Sequence, residues 1–103
     1  MTEQRVDTSR HAHVLLDIGG DAGALVIHTR PELDGVEIEV SPHETPSARV
    51  HAQVHRRDAG TDVSHAAVYP TLQPGSYIIW RTSAHAWADV SVHAGSVTEV
   101  GLL

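Results

Sequence analysis

The chain has 103 residues and a formal charge of −6 with histidine neutral, a length that suits one domain. It contains no Cys, Lys, Asn or Phe. This excludes disulfides, thiolate nucleophiles, Cys-based zinc or iron–sulfur sites, Schiff-base and P-loop lysines, and N-glycosylation. The acidic balance and scattered arginines argue against nucleic acid as a partner, and no run approaches the ~20 apolar residues that span a membrane.

The first nine residues are polar and without periodicity, which predicts a loose arm over 1–9 followed by one domain over 10–103. The arm lacks the apolar region of a signal peptide, so a cytoplasmic location is expected. Lys, Asn and Phe share AT-rich codons, and their joint absence points to a GC-rich bacterial genome. From residue 11 the chain reads as short strands between turn residues. In 11–18, Val14, Leu16 and Ile18 share a face, and "GGDAG" reads as a hairpin turn into a strand over 24–29. The segment 36–41 alternates, with Ile38 and Val40 inward and Glu37 and Glu39 outward. The segment 48–57 alternates again, with His51 and His55 outward. "DAGTD" reads as a hairpin into 63–70, and strands are expected over 75–81, 87–93 and 97–103. No segment carries a 3.6-residue period. The expected fold is therefore all-β, a single antiparallel sandwich of seven to eight strands. Thirteen Val, seven Leu and five Ile supply its core. Trp80 is expected inside that core, and Trp87, alternating with Asp89, Ser91 and His93, is expected outside as a binding residue.

The segment "LQPGSYIIW" (72–80) places a Pro-Gly corner directly before the most apolar strand. Pro74 fixes φ, Gly75 supplies a conformation other residues resist, and Tyr77 is positioned to bury its ring while its hydroxyl bonds to the corner backbone. This pattern resembles the leucine, Pro-Gly, tyrosine signature of transthyretin-like sandwiches, including carboxypeptidase regulatory-like domains and collagen-adhesin B-type repeats. "ADVSVHAGSVTEVGL" is similar to their closing hairpin. The resemblance implies a transthyretin-like or immunoglobulin-like fold and says little of function. The isopeptide bond of the adhesin repeats needs Lys and Asn, which this chain lacks. "HVLLD" (His13 to Asp17) resembles an N-terminal motif of hydroxyisourate hydrolases with one residue inserted, which turns Asp17 to the opposite face. Their C-terminal motif is absent.

Nine histidines are the feature with most chemical potential. On a strand, residues i and i+2 share a face ~6.6 Å apart, so His11 and His13 can converge on one ion. If 36–41 pairs with 48–57 about residue 45, Glu39 lies across from His51 and forms a second candidate metal pair, for zinc or copper. The alternative is that these groups decorate a solvated sheet face. Neighbouring Ser64-His65 and Ser91-x-His93 do not make a triad. The sequence thus reads as a small non-enzymatic binding or assembly module with no required cofactor, whose partner is another protein or a further copy of itself. The competing reading is a His-based metal protein or a hydroxyisourate-hydrolase-like hydrolase.

Overall fold

Among the described residues, β-branched runs punctuated by Gly and Pro form eight strands. They are β1 (Gly23–Thr29), β2 (Glu37–Pro42), β3 (Val50–Gln53), β4 (His55–Ala59), β5 (Asp62–Leu72), β6 (Gly75–Thr82), β7 (His85–Val92) and β8 (Val97–Leu102). A short 3₁₀ turn, Pro31–Leu33, precedes β2. The computed structural model describes residues 21–82 and 84–102. The arm over 1–9, the strand over 11–18, the metal pair His11 and His13, and the His13–Asp17 motif lie outside the described residues. Among the described residues the strands make two four-stranded sheets, in the orders β4-β5-β1-β8 and β3-β2-β6-β7. All pairings are antiparallel except β1 with β8, which is parallel. The chain is the all-β sandwich its periodicity predicts. Among the described residues no helix is long and apolar enough to cross a membrane.

The core lies between the sheets. Leu25 and Ile27 of β1 and Tyr69 of β5 meet Ile38 and Val40 of β2, Tyr77 and Ile79 of β6, and Val90 and Val92 of β7. Each fully buried aliphatic side chain contributes roughly 1.5–3 kcal/mol. β1 is central: Ala24, Leu25, Val26 and Ile27 are all buried, on both of its faces. Beside Val26, His28 Nε2 meets Glu99 Oε1 of β8 at 2.6 Å. The Gly60–Thr61 turn joins β4 to β5 as a hairpin, with Ala59 opposite Asp62, as "DAGTD" predicts.

The path departs from expectation in two places. The predicted strand 48–57 is two strands in different sheets, broken at Val54. That residue is fully buried; its N–H donates to the Val36 carbonyl and its carbonyl accepts from the Gly35 N–H, so the chain turns inward there and switches sheets. The predicted closing hairpin does not form, because β7 and β8 belong to opposite sheets. Its turn is captured by the start of β1: the Gly95 N–H donates to Ala22 O at 2.8 Å and the Ala24 N–H to Ser96 O at 3.0 Å. These bonds lay β8 beside β1 in parallel, from Ala24↔Val97 to Thr29↔Leu102.

Two tyrosines tie the fold together. Tyr77 is 5% exposed, and its hydroxyl donates to Gln73 O at 2.7 Å across the corner where Gly75 has a φ of 147°. This is the corner predicted from "LQPGSY". Tyr69 crosses the core from β5, and its hydroxyl donates to Ile38 O of β2, beside the Ile38↔Ala52 pair. Burial raises the Tyr69 hydroxyl well above its ordinary value, aided by the nearby Glu39 and Glu37 and opposed by the Ala52 backbone. Burial also raises Tyr77, opposed by its bond to Gln73.

The folded state therefore prefers the neutral phenols. Their contribution is whole below the unfolded pKa of about 10 and is lost as pH rises through the folded values. Thermal melts should weaken above about pH 10. Tyr69→Phe should cost on the order of 1 kcal/mol at neutral pH and flatten the alkaline decline. An unchanged alkaline decline in that variant would count against a buried, bonded Tyr69.

Candidate functional site

The predicted pair Glu39 and His51 stand directly opposite each other, with His51 Nδ1 3.4 Å from Glu39 Oε2 and 3.8 Å from Glu37 Oε1. The hairpin about residue 45 is real, but Glu39 is already engaged. Arg49 Nη1 donates to Glu39 Oε1 at 2.6 Å, and Arg49 Nε donates to Pro46 O at 2.7 Å. The Arg49 guanidinium also lies 3.7 Å from the centre of the Trp80 ring. Among the described residues no group of three or more His, Cys, Asp or Glu is placed to hold a metal ion. His51, His55 and His93 are exposed, as their alternation predicts.

The two tryptophans exchange the places expected of them. Trp80 lies on the outward face of β6, opposite Glu39 of β2, where its indole N–H donates to Ser41 Oγ at 2.9 Å and Arg49 stacks over its ring. Trp87 is half-buried and packs against the core. Trp80 faces out by ordinary alternation from the buried Tyr77 and Ile79, whereas Trp87 is turned inward by a break in the β6–β7 register. Ile79 pairs with Ala88, Trp80 with Ala86, and Thr82 with His85. Trp87 on β7 and Arg81 on β6 are each left without a partner, which makes two bulges of opposite sense that restore the register between them. A bulge re-aims the side chain of its extra residue, and here both extra side chains turn to the same place.

That place is a pocket of about 170 Å³ at one end of the sandwich. Ile38, Leu33 and Trp87 form its apolar part, Val36 and Glu37 a wall, and Arg30 and Arg81 its rim. The wall is held in position by backbone. Leu33 N–H donates to Arg30 O at 3.1 Å and Val36 N–H to Leu33 O at 2.9 Å, while Val54 fixes Gly35 and Val36 from the other side. The site is thus preformed by the 3₁₀ turn and the sheet switch. Arg81 lies 5.9 Å from the centre of the Trp87 ring, close enough for a weak cation–π attraction. Val36 remains 42% exposed.

The five described arginines separate cleanly. Arg49 and Arg56 are paired with Glu39 and Asp58. Among the described residues neither Arg30 nor Arg81 has an ion-pair partner, and both stand at this pocket; Arg57 also lacks one but lies on β4 in the other sheet. A larger hollow of about 300 Å³ at the opposite end is lined by Asp21, Ala22, Thr71, Leu72 and Gln73. Among the described residues its lining has no aromatic side chain and a single charge. Of the sequence-derived candidates, Trp87 lines this pocket, though facing inward, and Glu39 and His51 are together on an ion-paired sheet face. Arg30, Leu33, Val36 and Arg81 were not legible as site residues, because an arginine in a strand carries no mark of a bulge. Comparison with family models, curated proteins and solved structures returned no match.

Proposed function

We propose that this chain is a non-enzymatic binding module of transthyretin-like type, bacterial and cytoplasmic, and that the pocket at Trp87 and Arg81 is where it binds its partner. The observation that carries this reading is the pair of compensating bulges. Each breaks the β6–β7 ladder, and their joint effect is to place one aromatic and one cationic side chain beside a preformed apolar hollow. Bulges of this kind recur where a side chain must be re-aimed for function. The transthyretin-like assignment rests on the Pro74-Gly75 corner and on Tyr77, whose bond to Gln73 closes it.

Selection of random displayed peptides on the purified protein tests the proposal. Enriched peptides should lose binding to Arg81→Glu, a change at an exposed position, and to Trp87→Ala, while retaining it for His55→Ala on the other sheet. Enriched peptides indifferent to both pocket variants would place the binding surface elsewhere. The competing reading, a transition-metal site, has one observation in its favour, the approach of His51 to Glu39. Calorimetry with Zn²⁺ decides it: a saturable heat that falls in His51→Ala supports a metal site there, and its absence on tag-free protein leaves the module reading.

A further inference from the structure

The chemistry of the pocket specifies its occupant. Its apolar part is Leu33, Ile38 and Trp87, and at about 170 Å³ it is below the roughly 300–1,000 Å³ of sites that enclose a whole small molecule. A cavity of about 150 Å³ admits a benzene ring, so the hollow takes one aromatic or large aliphatic side chain. The rim carries Arg30 and Arg81, which lack ion-pair partners among the described residues, against one carboxylate, Glu37. Glu37 is 66% exposed and lies 3.8 Å from His51. The rim is thus locally cationic on a chain whose formal charge is −6. Guanidinium groups recognise carboxylates by paired, planar hydrogen bonds.

Building on the reading of this pocket as the binding site, we infer that it takes a peptide segment of a partner protein in which an aromatic or large aliphatic residue is flanked by aspartate or glutamate. The apolar side chain fills the hollow beside Trp87, and the flanking carboxylates pair with Arg30 and Arg81. The overall negative charge disfavours nucleic acid and acidic surfaces at large, so the carboxylates must be local to the docking residue. The apolar floor offers nothing to a bare phosphate.

Three blocked pentapeptides test this on the wild-type protein by NMR, with the Trp87 indole N–H as reporter and the Trp80 indole as internal control. They are Gly-Asp-Phe-Glu-Gly, its amide isostere Gly-Asn-Phe-Gln-Gly, and Gly-Asp-Ala-Glu-Gly. The first should shift the Trp87 indole at millimolar concentration and leave Trp80 unmoved. The isostere and the alanine peptide should each bind at least about tenfold more weakly. Arg30→Gln and Arg81→Gln should each weaken the acidic peptide while Arg56→Gln does not, and added salt should weaken it further. Equal response to the acidic peptide and its isostere would overturn the carboxylate preference while leaving the pocket as a binding site. No response of Trp87 to any of the three would overturn both.

Discussion

Gly23→Ala is expected to be a severely damaging small substitution, costing about 3 kcal/mol, the upper end of what overpacking produces. A Cβ at Gly23 would stand 2.3 Å from the His93 carbonyl oxygen and 2.6 Å from Val92 Cγ1, distances that no side chain tolerates. Relief requires the 93–96 turn to move. That turn is held by the bonds from Gly95 to Ala22 and from Ala24 to Ser96, the same bonds that place β8 alongside β1. Relaxing the clash therefore loosens the parallel β1–β8 pairing and the sheet it completes. For a domain of this size the melting temperature should fall by more than about 10 °C. A Gly23→Ala protein that melts with the wild type would show that the turn is not seated on β1 as described.

Tyr77→Ala should rank beside it. The ring is almost fully buried, and its removal leaves an aromatic-sized cavity worth ~3–5 kcal/mol. Tyr77→Phe keeps the packing and loses only the bond to Gln73 O, at about 1 kcal/mol. Urea denaturation of the two variants separates packing from hydrogen bonding. Equal losses in both would mean the hydroxyl carries the corner, and a neutral Tyr77→Ala would contradict the core position of the residue.

The fold was legible where local chemistry decides it. Alternation in 36–41 and about residue 51, together with the turn at Gly60, gave the hairpins and even the opposition of Glu39 and His51. "LQPGSY" gave the corner because Pro, Gly and Tyr each have a specific part in it. What was hidden depends on which sheet a strand joins. Val54 reads as one more inward valine, yet it is the residue at which the chain leaves one sheet for the other. Val92 and Val97 flank what reads as a hairpin turn, but the competing hydrogen bonds come from Ala22 and Ala24, some seventy residues away in the chain. The site was hidden for a related reason. Period-two reasoning assumes an unbroken register, and the bulges at Arg81 and Trp87 break it, which is why Trp87 turns inward, while Trp80 faces out by the ordinary alternation from Tyr77 and Ile79.

Whether the paired bulges create the binding surface is directly measurable. A peptide selected on the protein, or the acidic phenylalanine peptide, can be examined in complex by intermolecular nuclear Overhauser effects to assigned side chains. A binding surface built by the bulges gives contacts from the apolar side chain of the peptide to Trp87, Leu33 and Ile38, with Arg81 nearby and no contact to Trp80. Contacts centred instead on Trp80, Arg49 and His51, on the outward face of the β3-β2-β6-β7 sheet, would contradict it.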